Sequence, residues 1–178
     1  MENYNEINLS YLAGIIDGEG SIGLNRSHWK DTYDNRYKTP SYVLRVKVCM
    51  KDEIVVKWIH STFGGKFYHH NIKGRHYNIK TGLKSERPSV VNEWTMAGRE
   101  AIKLLKKVYP YLKLKKPQAE IAFEFAKTLN KIEGYQMKLP DNIVIRRTFL
   151  RSKMVELNSR NKYIPPLYDT SNNSEGKL

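Results

Sequence analysis

A helix of unusual composition is predicted near the start of the chain. Its apolar residues recur at helical spacing from Asn8, the predicted N-cap, to about Gly18: Leu9, Leu12, Ala13 and Ile16. Each interior glycine costs a helix up to about 1 kcal/mol relative to alanine. This helix nevertheless carries a stripe of small residues, Ser10, Gly14 and Gly18. Small residues let a second helix approach closely, so the stripe predicts a tight helix crossing, whose partner could be the same helix of a second copy.

Two carboxylates, Asp17 and Glu19, stand at the C-terminal end of this helix. The helix dipole disfavours a carboxylate there by roughly 0.3 to 1 kcal/mol, and a bound cation reverses that penalty. Crossing two such ends at a two-fold axis brings four carboxylates together, and hard oxygen ligands of this kind suit Mg²⁺. We therefore predict a homodimer whose interface contains Ser10, Ala13, Gly14, Asp17 and Gly18.

The charge of the chain indicates a polyanionic partner. Lysine and arginine number 31 against 18 aspartates and glutamates, a formal charge of +13, and nucleic acid fits such a surface best. No apolar run approaches the roughly 20 residues of a spanning helix, so no membrane partner is expected. The single cysteine, Cys49, excludes an intramolecular disulfide and fits a reducing compartment. We predict one domain over residues 1–164 and a disordered, polar tail over 165–178.

Alternating residues predict a sheet with one cationic face. Strands are expected at Gly20 to Lys30 and at Tyr42 to Met50, where Leu44, Val46 and Val48 alternate with Arg45 and Lys47. Further strands are predicted from Lys66 to Met96, with turns near Lys73 to Arg75 and a polar loop near Gly82 to Pro88.

Four further helices are predicted around these strands. They run from Lys51 to Phe63, where Gly64 and Gly65 end the helix, from Gly98 to Val108, after Pro117, and from Ile143 to Leu157. In the last one we expect four cations to point outward: Arg146, Arg147, Arg151 and Lys153. The order of elements predicts an α+β domain with helices packed on one face of the sheet.

Polar side chains on these strands are candidate DNA contacts. Three of them share one face of the first strand, Asn25, Ser27 and Trp29, and Arg45 and Lys47 share one face of the second. Strand ribbons fit the major groove, where Arg and Lys favour guanine and Asn favours adenine, although the same cations could contact phosphates alone. His69 and Asn71 could continue this surface. The register of their strand is ambiguous by one residue, and a slip would reverse its faces.

The segment from Leu12 to Gly20 reads LAGIIDGEG and resembles the motif that names the LAGLIDADG homing endonuclease family. Six of its nine letters are identical, and Glu19 conservatively replaces an aspartate. The resemblance extends to FGG at Phe63 to Gly65 and to PYLKLKKPQA at Pro110 to Ala119, and it covers roughly Leu9 to Leu157.

The resemblance implies a fold and an activity. The fold is a saddle of antiparallel strands that lies along the major groove, and single-motif members of the family form homodimers through their motif helices. The activity is that of an intron-encoded, site-specific endonuclease that hydrolyses double-stranded DNA at a long pseudo-palindromic target. Its cofactor is Mg²⁺, for which Ca²⁺ or Mn²⁺ can substitute in binding or catalysis.

By motif position, individual residues acquire expected roles. Glu19 corresponds to the metal-binding acid of the family, and the Gly18 backbone carbonyl is a candidate second metal ligand. Lys115 corresponds to a basic residue near the scissile phosphate, and Asp17 is a further catalytic candidate. Met50 stands where some members have a glutamine, so no residue is assigned to position the attacking water.

Several alternatives stay open at this point. The same fold serves RNA-splicing maturases, with intron RNA as a possible partner, and catalytically silent DNA-binding proteins; a basic module without sequence choice is a third class. The run His69, His70, Asn71 and His76 invites an HNH nuclease interpretation, although the expected order of those residues is missing. Lys115, beside Lys113 and Lys116, could belong to a solvated basic face. An intracellular location is expected, in an organelle or a prokaryotic cytoplasm.

Overall fold

Four antiparallel strands and five helices make up the described part of the protein. A computed structural model describes residues 4–27, 41–77, 84–129 and 139–159. The strands are β1 (Gly20–Ser27), β2 (Ser41–Met50), β3 (Lys66–Tyr77) and β4 (Lys84–Ala97). The helices are α1 (Glu6–Glu19), α2 (Glu53–Phe63), α3 (Gly98–Val108), α4 (Lys116–Lys127) and α5 (Asp141–Asn158), with a 3-10 turn at Tyr109–Tyr111. The strand order is β1-β2-β4-β3, and every pairing is antiparallel.

The two faces of the sheet differ in kind. The face that meets the helices is apolar and buried: Ile22, Leu24, Leu44, Val46, Val48 and Trp94. The opposite face, called the open face below, consists of Ser21, Gly23 and Asn25 of β1, Arg45, Lys47 and Cys49 of β2, Lys66, Tyr68 and His70 of β3, and Glu93 and Thr95 of β4. The predicted α+β architecture, with helices on one sheet face, is therefore confirmed. No helix in the described ranges has the length and apolar character needed to cross a bilayer.

Side-chain caps decide where the first two helices begin. The predicted N-cap Asn8 is wrong, because the Asn5 side chain accepts a hydrogen bond from the Ile7 N–H at 3.0 Å and starts α1 one turn earlier. Asp52 caps α2 by accepting from the Ile54 N–H at 2.8 Å. The helix ends as expected at Gly64, whose φ of +73° is typical of a glycine C-cap.

The β3–β4 ribbon is longer than the sequence indicated. The predicted turn at Lys73 to Arg75 is wrong, since β3 continues to Tyr77. The predicted loop from Gly82 to Pro88 is wrong from Lys84 onward, where β4 begins, and its first two positions lie outside the described residues. The pairing of β4 with β2 ends at Asn92, so the outer part of β4 has β3 as its partner on one edge. A proline is tolerated in such a strand, because its missing N–H can fall on the edge without a strand partner.

Arg147 is buried, which corrects the expectation that it points outward. It is 5% exposed; its Nε donates to Thr128 Oγ1 at 2.9 Å and its Nη2 to the Thr128 carbonyl at 2.8 Å. Burial lowers the pKa of the guanidinium. The Thr128 carbonyl lies at the end of α4, where carbonyl groups lack helical partners, so Arg147 fastens α5 to the end of α4.

We expect Arg147→Met to lower the free energy of unfolding by about 1 to 3 kcal/mol, because it leaves the buried oxygens of Thr128 without their donor. Urea unfolding at fixed protein concentration measures the change. Arg146→Met is the matched control: Arg146 is exposed and pairs with Glu124 at 3.3 Å on the surface, so its loss should be much smaller. Equal losses in the two variants would contradict a fastening role for Arg147.

Candidate active site and nucleic-acid interface

The end of α1 runs directly into the first strand of the open face. Glu19 is the last residue of α1 and Gly20 the first of β1. A Cβ at Gly20 would lie 2.7 Å from Ile16 Cα, so this turn requires a glycine. The Glu19 carboxylate is exposed, and no residue of the described ranges forms a hydrogen bond or ion pair with it. Glu19 is therefore an accessible carboxylate at the junction of helix and sheet.

Asp17 ties a distant segment of the chain to this junction. Its Oδ2 accepts from the Lys113 N–H at 2.6 Å, and its Oδ1 accepts from the Lys115 N–H at 2.9 Å. The Lys115 Nζ in turn donates to the Asp17 carbonyl at 2.5 Å. Both carboxylate oxygens accept backbone hydrogen bonds within the chain, so Asp17 holds the backbone of Lys115 at the end of α1. Its predicted catalytic and interface roles stay predictions.

Lys115 and Glu19 lie close enough to interact electrostatically. Burial lowers the pKa of the Lys115 ammonium, and the charges of Asp17 and Glu19 partly oppose that effect. Lys115 follows Asp17 by 98 residues. The predicted acid and the predicted cation are thus brought together by the fold, although they are distant in the sequence.

The small-residue stripe of α1 faces away from the protomer. Ser10, Gly14 and Gly18 are exposed, and a Cβ built on either glycine meets no atom within 4 Å. Packing inside the described chain therefore gives no reason for these glycines. Two apolar side chains on the same helix are also exposed, Ile7 at 74% and Tyr11 at 52%.

Ala13 differs from the rest of the predicted interface. It is fully buried in the core of its own protomer, so a partner helix cannot reach it. Its place in the motif follows from the helical period, because it lies on the same side of α1 as Leu9, Leu12 and Ile16.

The predicted contacts on β1 and β2 share the open face. Ser21 pairs with Lys47, Gly23 with Arg45, and Asn25 with Val43. Asn25, Arg45 and Lys47 therefore form one surface with the start of β1, adjacent to Glu19. Ser27 is the last residue of β1, and Trp29 lies outside the described residues.

The register of β3 reverses the expected faces. His69 pairs with Asn92 and Asn71 with Val90, on the same face of the sheet as the partly buried Phe67 and its buried partner Trp94. His69 Nδ1 lies 2.9 Å from Asn92 Oδ1, and Asn92 donates to the Lys51 carbonyl. His69 and Asn71 consequently do not continue the open face, contrary to the expectation, and their role as DNA contacts stays a prediction.

Tyr68 and His70 occupy the open-face positions of β3 instead, and sequence reasoning missed both. Requiring Phe67, the apolar residue of this segment, to face the core would have set the register correctly. His69 and His70 lie on opposite faces, so the described residues do not assemble the histidine cluster of an HNH centre.

Solved structures similar to this chain are DNA-bound homing endonucleases. I-CvuI, in complex with its target in the presence of calcium, is 18% identical, with 88% of this chain and 85% of that chain covered and a TM-score of 0.62. The archaeal intron-encoded I-Vdi141I, complexed with DNA, is 17% identical over 87% and 86%, with a TM-score of 0.63. The LAGLIDADG enzyme I-GzeII, with its DNA target, is 17% identical over 83% and 44%, with a TM-score of 0.54.

The chain has the LAGLIDADG homing endonuclease fold. The resemblance carried by its motif is thereby confirmed at the level of architecture. No protein-family model matches the sequence, and the search of curated proteins found no match.

Within this LAGLIDADG fold, the candidate metal ligands of one protomer are oxygen donors at the end of α1. Among the described residues, no group of three or more His, Cys, Asp or Glu side chains comes together as a metal site. Each Asp17 oxygen accepts one backbone hydrogen bond, whereas the Glu19 carboxylate and Gly18 at the end of α1 are exposed. Hard oxygen donors fit Mg²⁺ or Ca²⁺, and Mg²⁺ is commonly bound through one or two carboxylates with water in its other positions, so the chemistry of the donors fits such an ion.

We expect Asp17→Asn to release the segment that carries Lys115, because an amide keeps one acceptor oxygen and turns an NH₂ group toward the other backbone N–H. The free energy of unfolding should fall by about 1 to 3 kcal/mol, and amide hydrogen exchange at Lys113 and Lys115 should accelerate. Asp52→Asn is the control, since asparagine caps a helix as well as aspartate does. An unchanged rate of hydrogen exchange at both amides would contradict the proposed stabilisation of this segment by the Asp17 hydrogen bonds.

Proposed function

We propose that this protein is a site-specific DNA endonuclease that acts as a homodimer with divalent metal ions on a long, pseudo-palindromic double-stranded target. The observation that carries the proposal is the end of α1, where Glu19 is exposed and where Asp17 holds Lys115 by hydrogen bonds. Here an accessible carboxylate and a half-buried ammonium stand beside the cationic open face. Similar folds in I-CvuI and I-Vdi141I, both bound to DNA, support a DNA substrate.

The open face is the proposed DNA surface. An antiparallel ribbon fits the major groove and presents every second side chain to base edges. Arg45, Lys47 and Lys66 supply cations, and Asn25 supplies an amide. Contacts of cations with phosphates would provide most of the affinity, and base-edge contacts would provide the sequence preference.

Each residue at the junction has a separate task in the proposed hydrolysis. Glu19, with the Gly18 carbonyl, would hold the metal ion, which when bound lowers the pKa of water and stabilises charge on the leaving oxygen. Lys115 would place its ammonium beside the reacting phosphate, where it stabilises the charge that develops in the transition state. Asp17 would act through Lys115, since it fixes the backbone on which that lysine is carried.

The homodimer is proposed because one protomer leaves a surface of α1 exposed. The stripe of Ser10, Gly14 and Gly18 is exposed beside Ile7 and Tyr11. Crossing two copies of α1 on this stripe would cover those side chains and bring two Glu19 carboxylates to one axis. A two-fold protein presents the same strands to each half-site, which requires a target with inverted symmetry.

We expect Gly14→Leu to abolish the dimer while each protomer still folds. A side chain at position 14 has open space within the protomer, whereas leucine in a close helix crossing overpacks it. The dissociation constant of the dimer should increase at least roughly tenfold. Sedimentation over a range of protein concentrations measures this constant. Ser152→Leu, an exposed substitution on α5, controls for added apolar surface. A wild-type protein that remains monomeric with and without DNA would remove the dimer from the proposal.

We expect Glu19→Gln to reduce cleavage by two or more orders of magnitude while DNA binding is retained. The amide keeps the shape but loses the charge that holds the ion, and metal ions contribute several kcal/mol to such transition states. Affinity depends mainly on the open-face cations. The measurement compares cleavage in Mg²⁺ with gel-shift affinity in Ca²⁺, at fixed salt, on a target selected from a randomised library.

Two further variants make the comparison decisive. Lys115→Ala should lower the cleavage rate and slightly weaken binding, because it removes a cation close to the phosphate. Glu53→Gln removes a carboxylate that pairs with Lys57 on α2 and should change neither property. Wild-type cleavage by Glu19→Gln would eliminate the assignment of Glu19, and a wild-type protein that binds its selected target without cutting it would identify a catalytically silent binder.

A further inference from the structure

One carboxylate stands among the described residues of the open face. Glu93 lies in the middle of the sheet on β4, directly opposite Cys49 of β2 and Tyr68 of β3. A negative charge on a surface that binds a polyanion repels the phosphates and weakens binding. A carboxylate at this position therefore lowers the affinity for DNA unless it also makes a favourable contact with the DNA.

Glu93 contacts side chains from both neighbouring strands. Its Oε2 lies 2.6 Å from Lys47 Nζ and 3.5 Å from His70 Nε2. The Cys49 thiol lies 3.9 Å from the same oxygen. The side chain is 18% exposed, so it is both restrained and accessible. Side chains held in this way are prepared for recognition before the ligand arrives.

These contacts all involve Oε2, so among the residues that the structure describes Oε1 has acceptor capacity left. In the major groove a carboxylate accepts a hydrogen bond from the N4 amino group of cytosine, whereas guanine and thymine present acceptor oxygens that repel it. Adenine offers a donor too, but its N7 acceptor lies beside that donor. Cytosine is therefore the base whose edge best matches this carboxylate.

We propose that Glu93 is a specificity-determining residue that selects cytosine at one position of each half-site, with Lys47 and His70 holding its carboxylate in register. The inference rests on the proposed function and names part of the target that the protein recognises. Because the dimer is two-fold, the preference appears twice in a target, as a cytosine in one half-site and as the guanine of the inverted pair in the other.

Selection from a randomised library tests this inference. Wild-type protein should enrich an inverted C and G pair, with a discrimination of roughly tenfold or more against other bases at that position. Glu93→Gln should lose this preference at that symmetric pair alone, or shift it toward adenine, which a glutamine amide recognises. Glu93→Asp keeps the charge but withdraws the carboxylate, and should lose the same preference. Thermal unfolding and affinity for random-sequence DNA confirm that the variants are folded.

Glu100→Gln is the matched control, because it removes the same charge from an exposed residue of α3 that pairs with Lys103 at 2.8 Å. It should leave the selected sequence unchanged. A Glu93→Gln profile identical to wild type, or one that weakens equally at every position, would overturn the role of Glu93 and leave the endonuclease proposal intact. Failure of the wild-type protein to enrich any site would instead overturn the proposed function.

Discussion

The hydrogen bonds from the backbone of Lys113 and Lys115 to the Asp17 carboxylate are the contacts on which the site depends. They join the end of the motif helix to a segment nearly one hundred residues away. A carboxylate that accepts two backbone N–H groups fixes the position of the backbone that donates them. The aspartate and the glutamate of the motif therefore have different surroundings: Asp17 is hydrogen-bonded to the backbone of the distant segment, and Glu19 is exposed at the surface.

The division of the sheet into two faces sets the chemistry of the rest of the molecule. Because side chains alternate along a strand, a single register decides for every residue whether it packs against the helices or meets solvent. On β2 the alternation of apolar Val46 with charged Arg45 fixes the register, because only Val46 can pack against the helices. On β3 the register depends on Phe67, which packs on the helix side, and through it His70 rather than His69 reaches the open face and Glu93.

Helix α1 has one side packed in the core of the chain and another side exposed at the surface. Leu12 and Ile16 are fully buried in the core, while Gly14 and Gly18 are exposed and have no steric reason to be glycine within the protomer. A helix of this kind has two apolar or small faces, and a single protomer satisfies one of them.

The sequence by itself determined the architecture and the identity of the motif residues. Local alternation and helical spacing specified β2 and α3, because these signals arise within a few neighbouring residues, and LAGIIDGEG indicated Glu19. Tertiary structure alone decided that Arg147 is buried against Thr128 and that Asp17 accepts hydrogen bonds from the backbone of Lys115. It also decided that Glu93 lies between Lys47 and His70. Each of these facts depends on which distant residue supplies a hydrogen-bond partner or a cross-strand neighbour, and such pairings across 19 to 98 positions leave no periodic trace in the sequence.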